Sequence, residues 1–503
     1  MTLPDVAPLV RLTDGLCAAL RARFAAVGFD DSVHAVASDI EELAREAIRL
    51  PLVHATLAHR SDPASRVALL LTFAGTLPVD DARDALTPAL YDALCEVGVL
   101  APSGDGVRAA YRVTPIAGLW LLSDHFAGGA DMVMQPSGTT GRLLAMMPAR
   151  IAGAALDLGC GPGAFALVAA KRGAHPSVGT DVSERAVAMA RFNARLNGLD
   201  AEFRLGSLCE PVAGMRFDLV VSQPPYVVRP DDSQAVTYMH GGQLGDELAL
   251  RFVTDAPTAL APGGRALLSF DSAARSGRDP VELVAAALGD AEGVDALVVT
   301  EPGPSVNQCK ISYASIEAPE MGAPFAKAVQ RYHTHLTRLG VERFETLLVV
   351  LQRRAEGAAG DRRVVRVPAR STLSANAETL DVALACIALA AADDETLAAS
   401  ALQTCPAACF VDERPGLDPR VRPRRAYRFG EGTFGGEGAF EEREFALLSF
   451  VSGAPTVGEG AAAFAARTHE DPAAVRAEAL QFARAQLIVG VLEPRGLGES
   501  TPQ

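Results

Sequence analysis

At 503 residues the chain is long enough for two to four domains with large cores. Its 49% hydrophobic and 21% charged composition reads as globular, and its longest clear apolar run, Val382 to Ala392, falls well short of the roughly 20 residues that span a membrane. A net charge of −15 weighs against a general nucleic-acid binder, and eight scattered cysteines with no Cys-x-x-Cys pair, behind an N-terminus without a signal core, read as reduced thiols in a cytoplasmic protein with no metal site.

Residues 1–130 read as a separate, mostly helical unit. Leu9 to Val27 and Asp39 to Ala58 carry apolar residues at helical spacing. Leu86 to Val99 reads as a helix ending at Gly98. Gly104-Asp105-Gly106 is then a turn, and Val107 to Val113 alternates like a strand. Helix, turn and hairpin strand together suggest a winged-helix-like module. Substrate capture, nucleic-acid contact and a structural or dimerising cap are the roles open to it. Its lack of basic character favours the cap, and a homodimer is compatible with that. The glycine break Phe126 to Ala130 ends the unit. Gln135-Pro136-Ser137-Gly138-Thr139-Thr140-Gly141 then leads into a helix from Arg142 to Met147. Thr139 or Thr140 is placed either to cap that helix or to give a hydroxyl to a ligand.

Residues 131–355 read as a catalytic α/β domain. Ile151 to Leu158 is an apolar run of strand type, Gly159, Gly161 and Gly163 follow at alternate positions, and Ala164 to Lys171 reads as a helix. A strand, a glycine turn and a helix N-terminus bring bare backbone against a ligand. Ser177 to Asp181 is the second strand, with Val182 after it and Ser183 capping a helix from Glu184 to Asn197. Asp181 can accept both hydroxyls of a ribose, and this much fits a dinucleotide as well as S-adenosylmethionine (SAM). Asp157, on the strand two residues before the first glycine, suits an ammonium, which SAM has and a pyrophosphate lacks. Glu202 to Leu205 is the third strand, followed by Gly206-Ser207-Leu208. Phe217 to Ser222 is the fourth, running into Gln223-Pro224-Pro225-Tyr226. A helix ending near Ala261 is stopped by Pro262-Gly263-Gly264, and Ala266 to Phe270 is the fifth strand. Ala296 to Thr300 and Glu345 to Leu351 supply an antiparallel hairpin pair. Strands alternating with helices predict a doubly wound, Rossmann-like sheet, with its site at the carboxyl ends of the first and fourth strands.

Leu156 to Gly163, Gly206 to Val212, Ser222 to Tyr226 and Tyr238 to Asp246 resemble bacterial class I SAM-dependent methyltransferases of the release-factor glutamine methyltransferase family, in an N-terminally extended branch. The resemblance covers residues 85 to 352 and implies SAM as cofactor and a nitrogen as methyl acceptor. It implies that Gln223 stands where the family has Asn. There the side-chain amide and the Pro224 carbonyl would hold the acceptor nitrogen, with Tyr226 packing on its plane. The family often has an acid at the place of Ser207, so adenine contacts would fall to backbone near Leu208. Asp157, Gly159, Gly161, Gly163, Asp181, Val182, Ser207, Leu208, Gln223 and Thr140 are the expected cofactor-binding residues, and Gln223, Pro224 and Tyr226 the catalytic ones. The acceptor could be a protein, a peptide or a small molecule. Two other chemistries stay open: a small-molecule O-methyltransferase with His240 as base, and rRNA base methylation.

Arg353 to Asp361 reads as a linker, and residues 362–503 as a C-terminal accessory domain separable from cofactor binding. Ala377 to Ala392 reads as a helix; Arg420, Arg422, Arg424, Arg425 and Arg428 form a basic run; Gly430 to Gly438 is glycine-rich. Glu441 to Val451, Thr456 to Thr468 and Pro472 to Leu487 read as three helices closing on Val489 to Pro494, an order that faintly resembles winged-helix modules holding leader peptides.

Overall fold

The computed structural model of the chain describes residues 3–34, 46–125, 129–231, 233, 236–289, 291–318, 322–356, 363–369, 371–372, 374–413, 424–430 and 433–496. Residues 39–45 of the first unit, Phe126 to Gly128 of the glycine break, the linker glycines Gly357 and Gly360, Arg420 and Arg422 of the basic run, and residues 431–432 lie outside them.

Eight strands form the central sheet: β1 (Ala155–Leu158), β2 (Ser177–Asp181), β3 (Glu202–Leu205), β4 (Phe217–Ser222), β5 (Leu260–Ala274), β6 (Val294–Pro302), β7 (Arg343–Arg353) and β8 (Val364–Pro368). Their order is β8-β6-β7-β5-β4-β1-β2-β3. β3, β2, β1, β4 and β5 are parallel; β7 runs antiparallel between β5 and β6. The chain order reverses beside β1, between β2 and β4, and this is where an open parallel sheet leaves a crevice. β6 and β7 pair as antiparallel strands, but not as a hairpin: two helices lie between them. β5 is longer than expected. It absorbs Pro262-Gly263-Gly264 as a register shift between Leu260 and Arg265.

Both faces of the sheet are covered, so the strands are apolar at successive positions. On β7, Leu347, Val349 and Leu351 join one core layer, and Leu348 and Val350 the other. The first layer packs against α4 (Glu247–Ala259); the second against α1 (Gly138–Met146), α2 (Ala164–Lys171) and α3 (Glu184–Asn197). The inserted helices α5 (Val306–Glu317) and α6 (Gly322–Leu339) build a smaller core with Val227, Val228 and Phe344 over the site end of the sheet.

α3 has two apolar faces, at the spacing a helix needs to serve two partners. Val187, Ala190 and Ala194 pack toward the sheet, whereas Ala186, Met189, Phe192 and Leu196 join the core of the N-terminal unit. That unit contains the helix Asp14–Val27, the helix Pro88–Glu96 and a small sheet of Thr76–Pro78, Gly106–Ala109 and Leu100–Ser103. The strand expected over Val107 to Val113 breaks at Ala110. Its second half, Tyr111–Ile116, pairs instead with Leu119–Asp124 as a hairpin beside α3.

The sheet continues past residue 355. β8 lies parallel to β6, and Val367, Ala369, Ala375 and Leu380 share the central core. The helices Ala377–Ala390, Glu442–Gly453, Val457–Thr468 and Pro472–Ile488 follow, with a core of their own. Among the described residues, no helix is long and apolar enough to cross a membrane.

Candidate functional site

β1 ends in a turn that only glycine permits cheaply. Gly159, Gly161 and Gly163 have φ of 74°, 50° and 87°, all in the left-handed region. A Cβ on Gly163 would sit 2.9 Å from the Phe203 ring, and one on Gly159 would sit 3.1 Å from Phe252. Both are packing constraints. A Cβ on Gly161 would meet nothing within 4 Å, so this is the turn's open side. Gly161 N donates to Asp181 Oδ2 at 2.8 Å, which ties the end of β2 to the turn.

Asp157, expected beside an ammonium, is not among the residues lining the cavity above the turn. It is 1% exposed and lies behind the turn, where its Oδ2 accepts from Phe165 N and Ala166 N, each at 3.1 Å. Its Oδ2 therefore takes up two backbone N–H groups in the first turn of α2 and ties that turn to β1 from beneath. Among the described residues Oδ1 is buried without a partner, and burial pushes the carboxyl well above the usual range. Gly163 also lies off the cavity.

A cavity of about 570 Å³ opens above the turn. Gly159, Gly161, Asp181, Val182, Ser207, Leu208, Thr140, Gln223, Pro224 and Tyr226 all line it. Asp181 Oδ1 accepts from Ser183 N at 2.9 Å, and burial raises its carboxyl pKa against the pull of these backbone donors. Val182 is 56% exposed beside it, and an apolar side chain in that position can cover a planar ring. Thr180 Oγ1 donates to Leu208 O at 3.0 Å and holds Leu208 at φ 49°. The segment Asp131 to Ser137 forms another wall, where Ser183 Oγ donates to Asp131 Oδ1 at 2.9 Å.

The end of β4 departs from expectation. Gln223 lines the cavity, but its amide is engaged: Thr140 Oγ1 donates to Oε1 at 2.8 Å, and Nε2 donates to Ser137 Oγ at 3.3 Å. Ser137, not Thr139 or Thr140, is the N-cap of α1; Thr140 is the third residue of its capping box, lines the cavity and gives its hydroxyl hydrogen to Gln223. The extra methylene of Gln reaches the cap. Tyr226 stands further in; burial and the nearby Asp271 push its phenol up.

His240 stands apart from the cavity lining. It is 9% exposed; Nδ1 accepts from Val236 N at 3.1 Å and Nε2 is 3.3 Å from the Tyr332 hydroxyl. Burial and Arg229 lower its pKa to about 4.

Sequence reasoning missed the deep end of the cavity. Asp271 ends the apolar run of β5, and Thr346 on β7 donates to its Oδ1 at 2.6 Å. Tyr313 and Cys309 arrive on the inserted helix α5, and Arg142 on α1. An acid closing an otherwise apolar central strand was the one available signal. Among the described residues, no group of three or more His, Cys, Asp or Glu is placed to hold a metal ion.

Residues 137–277, which carry the turn, Asp181, Gln223 and Asp271, match the family model of the methyltransferase small domain. The central domain resembles class I methyltransferases. A release factor glutamine methyltransferase of Deinococcus radiodurans is 39% identical over 127 residues, 23% of this chain and 45% of the relative. One from Geobacter sulfurreducens is 36% identical over 162 residues, 29% of this chain and 57% of the relative. A ribosomal RNA small subunit methyltransferase C of Alcanivorax borkumensis is 34% identical over 112 residues, 22% and 30% of the two chains. The chain spans about half the length of the release-factor relatives it matches.

Proposed function

We propose that the chain is a SAM-dependent methyltransferase acting on a nitrogen of a protein, peptide or small molecule. The observation that carries this reading is the continuity of one cavity from the Gly161–Asp181 end to Gln223 and Tyr226. SAM supplies a methyl group on a positively charged sulfur that departs as a thioether. The residues present fit it. Gly161 leaves space where a side chain would intrude, Asp181 would offer its remaining lone pairs to ribose hydroxyls, and Val182 would cover the base. Leu208 and Ser207, which line the cavity, would offer backbone atoms to the adenine edge. The chain's own part in catalysis is positioning and exclusion of water, with the Pro224 carbonyl and Tyr226 around the acceptor. Eight free thiols support a cytoplasmic setting, and the acidic charge weighs against RNA as acceptor. In this reading the N-terminal unit is a winged-helix-like cap on α3, compatible with pairing of two copies.

Calorimetric titration with SAM and with NAD tests the reading: SAM binds and NAD does not. Asp181→Ala weakens SAM by about 1–3 kcal/mol, because charge-assisted hydrogen bonds are lost and Gly161 N loses its acceptor. NAD binding without SAM binding would overturn the assignment.

A further inference from the structure

We propose that the deep end of the cavity receives the acceptor as a positively charged amine, with the Asp271 carboxylate as its counter-charge. This deepens the methyltransferase reading and rests on it. Asp271 faces the cavity from the end of β5. Among the described residues its one hydrogen bond is from Thr346 Oγ1 to Oδ1, so the second oxygen has no partner. The neighbouring cation is already committed: Arg142 pairs with Glu301 at 2.5 Å, and Glu301 takes a further hydrogen bond from Thr372 N at 2.6 Å. Arg142, Glu301 and Asp271 alone sum to one negative charge in excess when Asp271 is ionised; Asp131, Asp181 and Arg251 also line the cavity.

The other groups facing Asp271 are neutral. Tyr226 follows β4, and Tyr313 and Cys309 stand on α5. Among the described residues the buried Tyr313 hydroxyl, beside the Cys309 thiol, has no oxygen or nitrogen partner. A carboxylate lacking its own cation, walled by two phenol rings, is costly when empty and suits an alkylammonium. An amide acceptor is served less well. The side chain expected to hold it, Gln223, already gives both ends of its amide to Thr140 and Ser137.

Burial lifts the Asp271 carboxyl to about 6, with Glu301 adding to the rise and Thr346 and Arg142 opposing it. It is thus ionised at neutral pH and can hold the amine. For reaction, the ammonium gives one proton to the Asp271 carboxylate and keeps the N–H electron pair. That pair would take the methyl group that SAM supplies, the C–S pair staying with sulfur, and the carboxylic acid would then release its proton to water.

The full chain without SAM is titrated calorimetrically with butylammonium at pH 7.5 and pH 5. Binding is expected at pH 7.5 and roughly tenfold weaker at pH 5, where about nine-tenths of a group titrating near 6 is protonated. Asp271→Asn abolishes amine binding at both pH values and leaves SAM affinity within about twofold. With labelled SAM, butylamine takes the methyl group and N-acetylglutamine amide does not. Binding that ignores pH, an Asp271→Asn chain that binds amine like wild type, no amine binding at all, or label in the amide alone overturns the proposal. Should Asp271→Asn not fold, the wild-type pH comparison decides. Failure of wild type to bind SAM overturns the methyltransferase reading instead.

Discussion

Gln223 shows what one methylene does to a site. Its amide spans from the end of β4 to the capping box of α1, with Thr140 and Ser137 as partners. An Asn at this position is one carbon shorter and cannot reach both. We therefore expect Gln223→Asn to behave like Gln223→Ala. Each should cost about 1–3 kcal/mol through partners left unsatisfied in a partly buried place. Each should also weaken SAM, because the wall from Asp131 to Ser137 loses its tie. Denaturant midpoints and SAM titrations check this; a Gln223→Asn chain as stable and active as wild type would restore the acceptor-holding role. Asp157 gives a pH test. Burial holds its carboxyl above the unfolded value, so the folded chain keeps a proton that the unfolded chain has lost. Stability from this residue is therefore lost as pH rises above about 4 toward the raised folded-state value. Asp157→Asn keeps an oxygen for Phe165 N and Ala166 N and should flatten that slope. Denaturant midpoints at pH 5 and pH 8 measure it. Gly161 and Asp181 were legible in the sequence because a strand, a glycine turn and a following strand fix their meeting locally. Asp271 and Thr346 were not, since they meet only by the pairing of strands 75 residues apart.

At the scale of elements, β2, β3, β4 and the helices α2 and α3 fall where periodicity and caps put them. Ser183 accepting from Ala186 N at 3.2 Å and Gly198 at φ 65° mark both ends of α3. β1 begins at Ala155 and not at Ile151, because Gly153 packs against Asp218 and the preceding residues turn. β8 escaped notice for a different reason. Five residues, Val364 to Pro368, are a weak signal alone, and their strand exists only because β6 offers an edge. This changes what truncation should do. A chain ending at Arg354 was expected to keep its cofactor site intact. Such a chain would now lose β8, expose the edge of β6, and remove Thr372 N from Glu301. It would also lose Val367 and Leu380 from the core, each contributing about 1.5–3 kcal/mol by burial. We expect that chain to melt well below the full-length protein and to bind SAM more weakly. Equal melting temperatures and equal SAM affinity would show that β8 adds nothing to the sheet.

At the scale of the whole molecule, a buried ion pair links the N-terminal unit to a wall of the cavity. Asp124, at the end of the hairpin strand Leu119–Asp124, has a side chain 1% exposed, and Arg185 on α3 pairs with it at 2.5 Å. Asp124 Oδ2 also accepts from Val133 N at 2.8 Å, and Val133 O accepts from Asp124 N at 3.0 Å. Val133 and its neighbours Asp131, Met132 and Met134 line the cavity. The pair therefore fixes a wall of the site from outside it. Arg185→Ala leaves a buried carboxylate without its cation, which costs about 3–5 kcal/mol. Because the same carboxylate anchors Val133, we expect SAM affinity to fall with stability even though Arg185 does not line the cavity. The double change Arg185→Ala with Asp124→Asn separates charge from anchoring. Asn keeps an oxygen for Val133 N and carries no charge, so stability and SAM affinity should both recover part of the loss. If Arg185→Ala lowers the melting temperature while SAM titrates as in wild type, the wall holds its place without the N-terminal unit and the coupling is absent.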